Sequence, residues 1–338
     1  MRSKAGSVLI LALWALFFLS ALALAIGAYV SGALTMATSL RAETAAYGAA
    51  RAGVDQAIQI IAEDTNAWDD LTEDWAGAEE LFRNVPLEGG SAYCLMNLAV
   101  DEAGATVTNF GLADEDRKVN LNRAETNLVA ALLVRVGGVS AGSADGILAE
   151  IRQYWRRKAA LRRQAEVLTG RVASGYSVSA TDSVAGFQSL NELLLVPGVT
   201  RALFARVEPY ATVYGSGYVN LNTAEAVVLR CLADATGRGP SAGREALVRR
   251  VLAFRRLGDA GVFATNNLDV MWTALSRVGG AEEGEEAVFR GMQRMIGIRS
   301  AGFGGRALGR ARGRGTDDAV IDFVFDRERG RKVFWLER

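Results

Sequence analysis

Residues 8–30 read VLILALWALFFLSALALAIGAYV, a run that is apolar apart from Ser20 and carries no charge. As an α-helix this run is about 35 Å long, enough to cross the hydrocarbon core of a bilayer. The uncharged stretch is longer still and extends from Ser7 to Leu40. Arg2 and Lys4 precede it, and Arg41 is the first charge after it. The positive-inside bias therefore keeps the short N-terminus in the cytoplasm and sends everything after about residue 31 across the membrane. A secretory signal peptide has an apolar region of only about 7–15 residues, which makes this run too long for one.

The helical pattern continues past the apolar run. Ala46, Ala50, Val54, Ala57 and Ile61 recur every three or four residues, and Arg41, Glu43, Arg51 and Asp55 lie between them. That spacing predicts an apolar stripe on a helix that leaves the membrane and packs on a globular part. From Ser7 to about Asp64 the helix is expected to be roughly 85 Å long.

Composition removes several functions. The chain has 338 residues, half of them hydrophobic, with 38 basic and 38 acidic side chains and no histidine. Neutrality provides no overall field toward nucleic acid. Without histidine there is no serine triad and no histidine-bound zinc. The four lysines Lys4, Lys118, Lys158 and Lys332 lie outside apolar runs, and Asp114, Glu115 and Asp116 read as a solvated turn, so nothing supports an enzyme. Cys94 and Cys231 are too few for a cysteine metal cluster; they pair as one disulfide or stay as buried thiols.

The basic leader ending in Gly6, the unbroken apolar helix and the amphipathic stalk together resemble the prepilin family, the type IV pilins and the pseudopilins of type II secretion. The resemblance implies cleavage after Gly6 by a membrane prepilin peptidase, with Ser7 as the new N-terminus. Most of that family carries a glutamate five residues after the cut, where this chain has Leu11. A carboxylate in hydrocarbon costs about 2.5–3.5 kcal/mol on insertion scales, so a helix without one needs no charged partner above it. Leu11 is thus expected in a subunit at the tip of a filament, and the branch lacking the glutamate is the large K-type minor pseudopilin. Ala21, Ala25, Gly27, Ala28 and Gly32 are the small residues expected to let neighbouring helices approach.

Beyond the stalk, 92–100 and 105–110 read as a hairpin, and 319–325 with 332–336 as a second one. Asp64 to Glu80 reads as an acidic loop with one helical turn, in which Asp64, Asn66, Asp69, Asp70, Glu73 and Asp74 are oxygen donors of the kind calcium takes. Residues 119–125 (VNLNRAE) recur as 219–225 (VNLNTAE), one hundred positions on. Asn122 with Glu125, and Asn222 with Glu225, fit capping boxes opening two helices. Between the copies Pro197-Gly198 breaks two helices after Glu192. This order, with Asn120, Asn122, Glu192, Pro197, Gly198, Asn220 and Asn222 as its markers, is similar to the general secretion pathway protein K family over essentially the whole chain.

That resemblance implies an α+β protein: leader 1–6, transmembrane and stalk helix 7–64, a pilin-like α/β head over 65–118 and 289–338, and a mainly helical insertion over 119–288. It implies a single-pass inner-membrane protein with a periplasmic head, assembling with minor pseudopilins of the I and J types. No cofactor is implied beyond a calcium ion that relatives can carry. The alternative is a membrane-anchored helix-hairpin-helix DNA-binding protein. It draws on Arg152, Arg156, Arg157, Lys158, Arg162 and Arg163 with Tyr154 and Trp155 nearby. Thr200 stands where such a hairpin needs its second glycine, so nucleic acid is not the expected partner. The Gly/Arg-rich run 302–315 (GFGGRALGRARGRG) is expected to be a mobile loop between strands rather than an RNA-binding tail.

Overall fold

The computed structural model describes residues 5–100, 106–168, 186–280, 282–311 and 318–338. It opens with helix α1, Ala5–Glu63, about 88 Å long. Its apolar first part is bare: Val8 to Arg41 are exposed throughout, and its most apolar window has a mean hydropathy of 2.7 with none of it buried. Burial begins at Ala46. From there the stripe Ala46, Ala50, Val54, Ala57 and Ile61 is at most 1% exposed, as the spacing predicts.

After α1 the expected loop contains two short helices, α2 Asp74–Gly77 and α3 Glu79–Phe82, with Trp75 and Phe82 fully buried. Strands β1 Val85–Pro86, β2 Ala92–Val100, β3 Thr106–Phe110 and β4 Ala113–Asp114 then form, with the predicted β2–β3 hairpin in antiparallel register Met96 to Phe110. Its turn at 101–105 lies outside the described residues. At the chain's end, β9 Gly302–Arg310, β10 Ala319–Asp326 and β11 Arg331–Glu337 complete a seven-stranded sheet of order β1-β2-β9-β10-β11, with β3 added to β2 and β4 to β9. Helix α1 lies across this sheet, with Trp75, Leu95, Leu112, Phe303, Ala307, Ile321 and Phe323 in the shared core.

Strand β9 corrects the expectation for the Gly/Arg-rich run, since its residues 302–310 are the middle of the sheet, paired with β2 on one side and β10 on the other. The glycines that suggested mobility serve close packing. A Cβ on Gly309 would stand 1.9 Å from the Ala46 carbonyl oxygen and 2.4 Å from the Ala50 nitrogen, so only glycine lets α1 lie this near the strand. Residues 312–315 of the run fall outside the described part.

Between β4 and β9 the chain leaves the sheet and builds a second core. It contains β5 Val119–Asn120, α4 Thr126–Arg135, α5 Ala141–Leu168, α6 Arg201–Val207, β6 Ala211–Thr212, β7 Val219–Asn220, α7 Ala226–Ala235, α8 Ser241–Arg255, α9 Leu268–Ser276, α10 Glu285–Gly291 and β8 Ile296–Gly297. β5 pairs in parallel with β6, and β7 with β8. This core takes in residues from Val119 to Ile298, past the 288 boundary expected from sequence. Pro197 and Gly198, at φ +88°, make the turn between a 3-10 helix, Leu190–Leu195, and α6.

Candidate functional site

Two features make up the candidate site: the bare half of α1, and the polar junction that holds the helical core on the sheet. On α1, Gly6 and Ser7 lie in the first turns, and residues 1–4 are outside the described part. Leu11 is 68% exposed. Ala21, Ala25, Gly27, Ala28 and Gly32 are exposed, and apart from the surrounding backbone of α1 itself nothing stands within 4 Å of where a Cβ on Gly27 or Gly32 would be. An exposed apolar helix of this length is stable only against lipid or other apolar helices.

The junction contains the tripeptide read from sequence as a solvated turn, which is a correction: Asp114, Glu115 and Asp116 are 1%, 7% and 1% exposed. The chain passes from sheet to helical core at this point and returns beside it at Ser300. Asp114 Oδ2 accepts from Thr223 Oγ1 at 2.5 Å, Ser300 Oγ at 2.7 Å and Asn220 Nδ2 at 3.3 Å. Asp116 Oδ1 accepts from the Ser216 N–H and hydroxyl, and its Oδ2 from the N–H groups of Ala301 and Gly302. Glu115 accepts from Thr212 Oγ1 and from Lys118 Nζ. Each carboxylate thus ties the outgoing strand to the helical core or the returning one.

Burial pushes the Asp114 carboxyl up to about 6, against the hydrogen bonds it accepts. Burial and the Asp114 charge push Asp116 up to about 7. Glu115 is equally withdrawn from water, but Lys118 and the Thr212 hydroxyl outweigh burial and hold it below its usual range.

Arg327 extends the network to the stalk. Its guanidinium donates to both Asp69 oxygens at 2.8 and 2.6 Å, to Asp64 Oδ2 at 2.8 Å and to the Ser300 carbonyl at 2.6 Å, and it lies 5.0 Å from the centre of the Phe303 ring. Asp64 and Asp69 are among the residues whose acidic pattern suggested calcium. With Glu73 their oxygens lie within 4.8 Å of one another, but two of the three already face Arg327. Glu73 accepts from Trp75 Nε1 and Asn66 Nδ2. The cluster therefore has its counter-charge within the chain. Of its other members, buried Asp70 accepts from Thr72, and exposed Asp74 lies in the first turn of α2.

The repeat has a structural meaning different from the expected capping boxes. Glu125 and Glu225 occupy the N-cap positions of α4 and α7, and neither side chain caps. Instead the side-chain Oδ1 atoms of Asn120 and Asn220 accept from the backbone N–H of Asn122 and Asn222, both at 2.9 Å, bending the chain after each short strand. Asn122 then exchanges two hydrogen bonds with the Phe187 backbone, and Asn222 exchanges two with Phe263. An asparagine amide presents a donor and an acceptor side by side and so mimics a strand neighbour. The same device in both copies explains the recurring N-L-N.

Glu192 accepts from Lys158 Nζ at 2.7 Å, Tyr154 Oη and the Gln188 N–H, which pins the segment before the Pro197 turn onto α5. Lys158, one of the six basic residues on α5, is thereby committed internally. The Thr200 hydroxyl oxygen accepts from the Leu203 N–H and caps α6, occupying the place a phosphate-approaching glycine would need. Cys94 and Cys231 are both buried free thiols, correcting the disulfide option: Cys94 exchanges hydrogen bonds with Asn84 beside the sheet, while Cys231 lies in the helical core.

No family model matches the chain, and no curated protein matches it. Among solved structures it is similar to a chain of the GspK-GspI-GspJ complex from the enterotoxigenic Escherichia coli type 2 secretion system. The identity is 13% and the TM-score 0.49, over 92% of this chain and 99% of that one.

Proposed function

We propose that the protein is a K-type minor pseudopilin that caps the pseudopilus of a type II secretion machine and starts its assembly. The observation that carries this reading is the bare half of α1, charge-free from Ser7 to Leu40 and with Leu11 where a filament helix usually has a carboxylate. A free apolar helix joined rigidly to a head is an assembly element rather than a catalyst.

In this reading the prepilin peptidase removes residues 1–6, and the helix beginning at Ser7 waits in the inner membrane with its head in the periplasm. Its apolar surface then packs against the helices of I- and J-type minor pseudopilins, with Ala21, Ala25, Gly27, Ala28 and Gly32 allowing close approach. With no buried carboxylate on α1 there is no need for a subunit above it, and the helical core stands over the place where one would sit. The filament grows from beneath.

Intact-mass measurement of the protein purified from a host with the peptidase tests the first step. The expected product begins at Ser7 and is lost in Gly6→Val; a product beginning well beyond residue 25 refutes the reading. Leu11→Glu tests the capping step, because a carboxylate there invites a further subunit. Pseudopilus initiation should fall, and unchanged initiation would count against a tip position.

A further inference from the structure

Among the described residues, Arg250, Arg327 and Arg255 are arginines largely withdrawn from solvent, and the first two are fully answered. Arg250 meets Glu285 at 2.7 Å and the carbonyls of Val278, Gly279 and Gly280. Arg327 meets Asp64, Asp69 and the Ser300 carbonyl. Arg255, at the end of α8, donates one hydrogen bond, from Nη1 to the Ala224 carbonyl, and forms no ion pair. Burial pulls its pKa down to about 10. Among the described residues no carboxylate pairs with Arg255, whereas the molecule answers its other two withdrawn guanidinium groups with carboxylates, as the cost of withdrawing an unpaired charge requires.

Arg255 lines a cavity of about 250 Å³ between α8 and the loop Asp70–Thr72. Leu71, Leu252 and Val262 supply apolar wall, and Arg256 lies on the lining with a partner of its own. The carboxylate on the lining, Asp70, directs one oxygen to the Thr72 N–H and hydroxyl and makes no ion pair with Arg255. Its negative charge disfavours a dianion in the same cavity, while one planar fork of N–H groups matches one carboxylate. The cavity is much larger than a carboxylate alone, leaving room for an apolar body against the leucines.

We propose that this cavity is a binding site for a monocarboxylate with a small apolar body, its two oxygens taken by the remaining N–H groups of Arg255. The carboxylate comes from a free small molecule or from the C-terminus of a polypeptide, and these sources are separable. The full chain in detergent micelles is titrated calorimetrically with butyrate, with the tripeptide Ala-Ala-Leu as acid and as amide, and with inorganic phosphate.

Saturable one-site binding of butyrate or of the tripeptide acid, but not of the amide, is expected. Butyrate alone points to a free ligand, and a preference for the tripeptide acid points to a chain terminus. Arg255→Met should weaken binding about tenfold or more, as loss of a charged hydrogen-bonding partner does. Val262→Trp, which fills the cavity and leaves the guanidinium in place, should abolish binding and serves as the test where Arg255→Met does not fold. Absence of saturable binding by any carboxylate overturns the proposal, as does binding of phosphate alone, equal binding of acid and amide, or affinity unchanged in both variants.

Discussion

Gly309 shows how one residue sets the distance between two elements. A side chain at this position would meet backbone atoms of α1 at Ala46 and Ala50, which cannot rotate away. Gly309→Val should therefore cost on the order of 3 kcal/mol or more, the upper range for overpacking, read as a lower urea midpoint by tryptophan fluorescence. A change under about 0.5 kcal/mol, the size of an ordinary surface substitution, would mean that the helix does not rest on this strand. Arg327 sets a different kind of constraint. Removing it in Arg327→Met leaves Asp69 buried with no cation, a loss of about 3–5 kcal/mol for a broken buried pair. Burial already raises the Asp69 pKa despite Arg327. Adding Asp69→Asn to Arg327→Met should therefore recover part of the loss, and a double mutant no better than the single would contradict that account.

Among elements, the two N-L-N turns are the clearest pair, because sequence and structure repeat together. Asn122→Ala and Asn222→Ala each remove a two-way exchange with a phenylalanine backbone. Each should lower stability by about 1–3 kcal/mol, since the partner N–H and C=O are left unanswered. Glu125→Ala and Glu225→Ala should do little, because neither glutamate makes a cap hydrogen bond. The reverse order of effects in equilibrium unfolding would restore the capping-box reading. The periodicity of α1 and the two terminal hairpins were legible because alternation and 3.6-residue spacing are local signals. Strand β9 was not: its Gly-rich sequence lacks strand propensity, and its pairing on both sides and the helix above it supply what propensity does not.

The whole molecule consists of two hydrophobic cores joined through a few polar residues, so its stability should follow the protonation of the junction. Asp114 and Asp116 titrate in the folded chain at about 6 and about 7, above the usual 3.8, because burial disfavours their charge. The native state then holds protons that the unfolded chain has released, and stability falls as pH rises through this window. Glu115 and Glu192, held low mainly by Lys118 and Lys158 against burial, act in the opposite sense and lose their contribution as pH drops below the usual 4.5. Stability in micelles should therefore be highest between about pH 4 and 5, decline by on the order of 3 kcal/mol from pH 5 to 7, and level off above that. Asp116→Asn should flatten that decline. Denaturation midpoints that climb steadily from pH 5 to 8 would show that the junction carboxylates are not the controlling groups.

The amino-acid sequence by itself determined the membrane-length helix, its buried stripe, the hairpins and the repeat, because each is written in contiguous or periodic residues whose partners are near in the chain. The tertiary structure alone decided the fate of the charged and glycine-rich segments. Asp69, Asp114 and Asp116 look like solvated turn residues until Arg327, Ser300 and Ser216 arrive from far along the chain to answer them. Residues 302–310 look like a loop until α1 settles onto them. Burial of a charge or a glycine is a property of its distant neighbours, and no local pattern encodes those.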